Sequence, residues 1–229
     1  MTRTCVYCGN PADTRDHVPP KRIYTKPFPD NLPTVPCCDS CNGAWSKDEQ
    51  YFKIALSLMG GSIELDGMHD EDGFTHKTLS NLKAFGLDDT ILNSISVDEF
   101  DRPYFSPDLQ RLYRVLEKIA LGLCELRGWQ TTGASFNTVC FDRLSELLAG
   151  QTTADYLLAI FQKNQQTWNV VQPSVFEYTL FQRANDASGT AYCALRFFSS
   201  IAAIVALYKL RDIDWNGALV LQINWVADI

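Results

Sequence analysis

Long apolar runs are missing from this sequence of 229 residues. Residues 201–210 (IAAIVALYKL) form too short a run to cross a bilayer, which requires about 20 apolar residues. The first nine residues, MTRTCVYCG, contain no apolar signal core, so we expect a cytoplasmic protein without membrane partners. Internal repeats and low-complexity tracts are absent as well. With 46% hydrophobic residues, the composition predicts a globular protein with a substantial core.

An excess of basic charge is also missing, since the formal net charge is −7. Such a balance is unfavourable for nucleic-acid binding, but the charge is unevenly distributed. Residues 1–53 contain seven Lys/Arg and six Asp/Glu, so the acidic excess lies in the rest of the chain. We expect that excess to face a protein partner or a second copy of the chain. Nucleic acid is expected to contact the N-terminal basic residues: Lys21, Arg22, Lys26 and Lys47, with Arg15 and Lys53.

The eight cysteines include two Cys-x-x-Cys pairs, Cys5/Cys8 and Cys38/Cys41. In a chain expected to be cytosolic, such pairs indicate metal rather than disulfides, and four thiolates bind zinc tetrahedrally at about 2.3 Å. Cys37 competes with Cys38 as a ligand, but only Cys38 has the two-residue spacing to Cys41. Three other cysteines lie in apolar contexts and are expected to be buried thiols: Cys124, Cys140 and Cys193.

Between the cysteine pairs lie the dipeptide Asp16-His17 and Asn31, and Asn42 follows the second pair. This order of features resembles the HNH family, also called ββα-metal nucleases. The strings DHVPPK, CN and KDEQYF are similar to those of a bacterial subgroup of that family. The resemblance covers residues 4–51 and implies a metal-dependent endonuclease acting on DNA. An effector in anti-phage defence would fit that subgroup.

Phosphodiester hydrolysis requires an activated water and charge neutralisation, which suggests a role for each of these residues. His17 is expected to be the general base, because a neutral imidazole accepts a proton near pH 7. Asp16 and Asn42 each offer an oxygen to a catalytic Mg²⁺ or Mn²⁺. Adjacent strand residues point to opposite faces, so Asp16 and His17 need a bend to face one phosphate together. Asn31 is expected to brace the loop that holds His17.

Other interpretations of these residues stay open. Glu49 returns to the helix face of Asn42 but lies about 10 Å further along, so it is a candidate for a second metal or a supporting contact. Asp48 points elsewhere on that helix. His17 is alternatively a structural histidine, and Asn42 a helix N-cap. Two alternatives apply to the function of the whole protein. One is an RNA nuclease of the same fold, and the other is a non-catalytic zinc module that binds a protein partner.

The sequence predicts an α+β fold with a zinc-bound ββα module, a helical middle and a C-terminal antiparallel sheet. The expected domains are 1–60 (nuclease module), 61–104 (linker and short helices) and 105–229 (regulatory or partner-binding). Apolar spacing predicts helices over 42–58, 78–85, 89–96, 139–148 and 154–163, and a long one from Ser106-Pro107 to near Gly128. Segments rich in β-branched and aromatic residues predict strands over 175–182, 191–198, 201–209 and 218–226, with a turn at 185–189.

Overall fold

The computed structural model describes residues 3–24, 26–61, 88–97, 99, 103–129, 131, 134–143, 168–182 and 191–209. It combines helices with antiparallel strands, as the predicted α+β class requires. The helices are α1 (Asp39–Ala44), α2 (Ser46–Gly61), α3 (Asp88–Leu92) and α4 (Leu109–Leu126), with a short 3-10 helix at Lys21–Ile23. The strands are β1 (Thr14–His17), β2 (Thr34–Cys37), β3 (Ile95–Val97), β4 (Pro103–Phe105), β5 (Ala134–Arg143), β6 (Asn169–Gln172), β7 (Phe176–Gln182), β8 (Ala191–Phe197) and β9 (Ile201–Lys209).

The N-terminal region is an antiparallel hairpin of β1 and β2 followed by two helices. Asp16 pairs with Val35 and His17 with Thr34, and the proline-rich loop between the strands is closed by a bond from the Val18 N–H to the Pro33 carbonyl. The predicted single helix over 42–58 is wrong at its start. Cys38 is the N-cap of α1, and the chain leaves the helix at Trp45 before α2 begins.

The C-terminal region is a five-stranded antiparallel sheet in the order β5-β9-β8-β7-β6. The predicted strands over 175–182, 191–198 and 201–209 are confirmed within one residue at each end. The predicted helix over 139–148 is wrong in its first half, because residues up to Arg143 belong to β5, and its second half lies outside the described residues. A β-bulge between Thr138 and Cys140 interrupts the strand alternation there. The elements predicted over 78–85, 154–163, 185–189 and 218–226 lie outside the described residues.

The longest helix, α4, carries the apolar stripe seen in the sequence and ends before Gly128, as predicted. Its start is not at Ser106-Pro107 but two residues later. Asp108 is the N-cap, since its side chain accepts hydrogen bonds from the backbone N–H groups of Gln110 and Arg111. The predicted helix over 89–96 is also wrong in its second half, where β3 begins at Ile95 and pairs with β4. Within the described part of the chain, no helix has the length and apolarity required to cross a membrane.

One hydrophobic core joins the N-terminal helices to the C-terminal sheet. Phe52 of α2 lies edge-on to Phe197 of β8 with ring centroids 5.4 Å apart, and Tyr24 meets Phe176 of β7 in the same way at 6.5 Å. Helix α4 contributes buried leucines to this core and also approaches β1 closely. At Gly122, a Cβ atom would lie 2.5 Å from Cγ2 of Val18, so only glycine permits this approach. The close packing places α4 directly behind the Asp16-His17 dipeptide.

Candidate functional site

The four predicted cysteine ligands form one cluster. The Sγ atoms of Cys5, Cys8, Cys38 and Cys41 all lie within 4.8 Å of one another, and Cys8 Sγ is 3.6 Å from Cys38 Sγ. A tetrahedral zinc ion with bonds of 2.3 Å separates its sulfur ligands by roughly 3.8 Å, so this donor set fits zinc. The predicted four-cysteine metal site is therefore confirmed as a cluster able to hold a metal ion such as zinc.

Local turns create this cluster from each cysteine pair. After Cys5 the chain turns through Gly9, whose φ of +76° is the left-handed conformation that glycine adopts without strain. The Gly9 N–H bonds to the Cys5 carbonyl at 2.9 Å and closes the turn. In the second pair, the Cys38 Sγ accepts a bond from the Cys41 N–H at the first turn of α1. Both knuckles therefore follow from short-range backbone geometry.

Cys37 lies next to this cluster but is not part of it. Its buried thiol contacts the carbonyl of Cys38, and burial, with the nearby Cys5 charge, raises its pKa to about 12. At Cys5, burial also acts to raise the pKa, but neighbouring backbone N–H groups, chiefly that of Cys38, outweigh it and bring the pKa to about 6. The choice of Cys38 over Cys37 agrees with the geometry.

The two residues of the Asp16-His17 dipeptide occupy opposite faces of β1, as strand alternation predicts. Asp16 points inward and is only 6% exposed. Its Oδ2 atom accepts a hydrogen bond from the Tyr7 hydroxyl at 2.7 Å and forms an ion pair with Lys118 Nζ at 2.6 Å. Burial and the Asp16 charge raise the pKa of Tyr7, so the phenol stays protonated and donates. Asp16 thus belongs to a buried polar group.

Lys118 of α4 links Asp16 to Glu49 of α2, because its ammonium also forms an ion pair with Glu49 Oε1. Burial raises the pKa of Glu49 although Lys118 acts to lower it. Sequence reasoning missed Lys118. The available signal was its spacing from Val115 and Gly122, three and four residues away, which places a lysine at the edge of the apolar stripe of α4. We call Tyr7, Asp16, Glu49 and Lys118 the carboxylate–lysine cluster.

His17 lies on the other, more open face of β1. Arg15 shares this face and donates to Thr34, the strand partner of His17, from Nε at 2.8 Å. Burial lowers the pKa of His17, and the charge of Lys21 lowers it further, while Asp16 acts in the opposite direction. The imidazole is therefore neutral at pH 7, with two cationic side chains nearby.

The two asparagines occupy different surroundings. Asn42 lies within α1, not at its N-cap, and its Nδ2 is 3.5 Å from Thr14 Oγ1, so its amide is beside β1 two residues before Asp16. Asn31 is exposed in the loop between the 3-10 helix and β2. A backbone hydrogen bond from the Val18 N–H to the Pro33 carbonyl closes the base of that loop, and Asn31 takes no part in this bond.

The predicted nucleic-acid contacts are exposed but differ in their partners. Lys21 lies over the ring of Phe28 at 4.9 Å, and Arg22 donates to Gln50 Oε1 at 2.6 Å. Lys26 is exposed in the same loop, whereas Lys47 is exposed at the start of α2. Lys21 lies close enough to His17 for its charge to act on the imidazole, whereas Lys26 lies further along the loop that follows β1.

Comparisons with protein-family models, curated proteins and solved structures find no match to this chain.

Proposed function

We propose that the N-terminal region is a metal-dependent nuclease of the ββα-metal type that hydrolyses phosphodiester bonds of DNA. The observation that carries this proposal is that three functional groups lie on one small scaffold. Because Asp16 and His17 occupy opposite faces of β1, the proposal requires β1 to bend at its end so that both side chains act on one phosphate. The hairpin strand β1 bears Asp16 and His17, and α1 brings Asn42 beside the same strand. The four-cysteine cluster joins the segment before β1 to the start of α1, so a bound zinc ion would fix strand and helix together without entering the reaction.

In this proposal His17 is the general base, since a neutral imidazole nitrogen on the open face of β1 can take a proton from the attacking water. Arg15 and Lys21 near His17 favour a phosphate on that face. Asp16 and Asn42 offer a carboxylate and an amide oxygen, which are the hard donors that Mg²⁺ and Mn²⁺ prefer. Both bonds that the described residues make to the Asp16 carboxylate use Oδ2, so in this proposal Oδ1 is the oxygen that would bind the cation. When bound, that ion neutralises charge on the phosphate and the leaving oxygen.

The test is cleavage of supercoiled plasmid DNA by the purified full chain with Mg²⁺ or Mn²⁺, with EDTA as control. A single-stranded RNA of mixed sequence is the second substrate and decides between a DNA and an RNA nuclease. His17→Ala should lower the rate by about 10²–10⁴ at any metal concentration, because it removes only the base. Asp16→Asn should produce a loss that shrinks as the metal concentration is raised. The proposal is abandoned if His17→Ala cuts as fast as the wild-type protein.

A second candidate is a non-catalytic zinc module that binds a protein partner. The observation in its favour is that Asp16 is buried and ion-paired within the protein, which is an arrangement typical of a structural joint. The net charge of −7 also favours a basic protein partner over nucleic acid. If neither substrate is cut with any of these metals, this candidate replaces the nuclease.

A further inference from the structure

Lys118 is placed in the protein interior with an unusual set of neighbours. Its side chain is 1% exposed, and its ammonium contacts Asp16 of β1 and Glu49 of α2. The rings of Tyr7 and Trp45 lie 5.4 and 5.9 Å from the same ammonium and help to enclose it. A charge buried this deeply is costly unless it is paired, and here two carboxylates meet at one lysine. Three separate elements thus converge on one atom.

The contacts to Asp16 also involve only one of its two carboxylate oxygens. Tyr7 and Lys118 both bind Oδ2, at 2.7 and 2.6 Å. Two bonds to one carboxylate oxygen fix the rotation of the side chain and direct the other oxygen, Oδ1, away from the lysine. Glu49 makes its contact with the same ammonium rather than with the Asp16 carboxylate. The cluster is therefore built to hold the orientation of Asp16 as well as to neutralise its charge.

We propose that Lys118 is a positioning residue of the nuclease site. Its ammonium holds Asp16 by Oδ2 so that Oδ1 is presented to the catalytic cation, and Glu49 anchors Lys118 instead of binding that cation. This inference rests on the proposed function. It also makes α4 part of the site, so that the first 60 residues alone lack a component of the active centre.

A positive charge beside the anionic ligand has a second consequence. It opposes the binding of a divalent cation at Asp16, because like charges repel most strongly where little water screens them. Lys118 therefore improves the orientation of Asp16 at the expense of cation affinity. Removing the ammonium should leave cation binding as tight as before, or tighter, while cleavage becomes slower. Replacing a residue with a purely structural role would not slow cleavage while leaving cation binding intact.

The experiment compares the full-length wild-type protein with Lys118→Met and Glu49→Gln. Mn²⁺ binding is measured by isothermal titration calorimetry without nucleic acid. Plasmid cleavage is measured at saturating Mn²⁺ and divided by the folded fraction from circular dichroism. We expect Lys118→Met to bind Mn²⁺ at least as tightly as the wild type and to cut about 10- to 100-fold more slowly, because a small displacement of a catalytic group has effects of that size. Glu49→Gln, which weakens the anchor of Lys118 but keeps its ammonium, should bind Mn²⁺ as tightly as the wild type and cut more slowly by a smaller factor than Lys118→Met. The matched control is Arg114→Gln, an exposed position on α4 outside the cluster, which should equal the wild type in both measurements.

Other outcomes overturn the inference in different ways. Cleavage by Lys118→Met at the wild-type rate removes its positioning role, and so does weaker Mn²⁺ binding by that variant. Weaker Mn²⁺ binding by Glu49→Gln makes Glu49 a ligand, as does a cutting defect that added Mn²⁺ restores. If Lys118→Met does not fold, the double variant Lys118→Met/Glu49→Gln, with one buried carboxylate fewer, takes its place under the same criteria. A wild-type protein that cuts nothing instead overturns the proposed function.

Discussion

The four-cysteine cluster and the carboxylate–lysine cluster are neighbours, since Tyr7 packs against the cysteines and also donates to Asp16, yet they are assembled in different ways. The cysteines come from two short knuckles, each folded by its own backbone hydrogen bonds. Asp16, Glu49 and Lys118 come from β1, α2 and α4, so that cluster exists only when distant parts of the chain pack together. The first is a local structure that a metal ion can complete, whereas the second depends on the whole fold.

The largest effect is expected from breaking the first cluster. Cys41→Ser removes one of the four thiolates and should abolish metal binding and unfold the hairpin, because the structural zinc site that we expect here would contribute its binding free energy to folding. We expect less than one equivalent of zinc by elemental analysis and a lower Tm by circular dichroism. The control is Cys37→Ala, which changes a buried cysteine next to the cluster but outside it. A folded Cys41→Ser protein with full zinc content would contradict this assignment.

A substitution at Gly122 should have a smaller effect, and it should disturb the carboxylate–lysine cluster without disturbing the four-cysteine cluster. A Cβ at Gly122 would lie 2.5 Å from Val18 Cγ2, so Gly122→Ala should push α4 away from β1. Overpacking of this kind typically costs about 1–3 kcal/mol. Because Lys118 lies one turn before Gly122 on α4, its contact with Asp16 should be disturbed while the zinc content stays normal. Chemical denaturation measures the stability and elemental analysis the zinc.

The control for this variant is Gly43→Ala in α1, where a Cβ would meet nothing within 4 Å. Since alanine favours the helix over glycine by about 0.5–1 kcal/mol, Gly43→Ala should be neutral or stabilising. The change in unfolding free energy should therefore have opposite signs in the two glycine variants. If Gly122→Ala is as stable as the wild-type protein, the close approach of α4 to β1 is not a constraint on the fold.

These two clusters also explain what the sequence can and cannot predict. The Cys-x-x-Cys spacing predicts the metal cluster because the knuckle is a property of a few consecutive residues. The β-branched segments likewise predict β7, β8 and β9. The sequence does not predict the partner of Asp16, since Lys118 lies 102 positions away and nothing local links them. The sequence predicts a helix over the second half of the bulged strand β5 for the same reason, because the nine residue pairs that join β5 to β9 are long-range contacts.

The smallest effect concerns the two ion pairs of Asp48, which tie α2 to α4 outside both clusters. Asp48 accepts bonds from Arg111 Nε at 2.8 Å and Arg114 Nε at 2.9 Å. Arg111 also stacks on the Tyr51 ring at 4.4 Å and is 16% exposed, whereas the Arg114 side chain is 48% exposed. Arg114→Gln should therefore cost at most about 1 kcal/mol, since water screens an exposed pair. Arg111→Gln should cost more, because it also loses its ring contact.

The stability that the Asp48–Arg114 ion pair contributes should depend on pH in a direction that the pKa of Asp48 determines. Burial acts to raise the pKa of Asp48, but its bonds with Arg114 and Arg111 outweigh it and hold the pKa below the usual value. A carboxyl group with a lowered pKa in the folded state stabilises the protein above its unfolded pKa, about 3.9 for aspartate, and loses that contribution as the pH falls through the folded value. The difference in unfolding free energy between wild type and Arg114→Gln should be constant from pH 5 to pH 7, by the same argument, and should shrink below about pH 4. Urea denaturation at these pH values measures it, and a difference that persists at low pH would show that Arg114 stabilises α4 by a route other than Asp48.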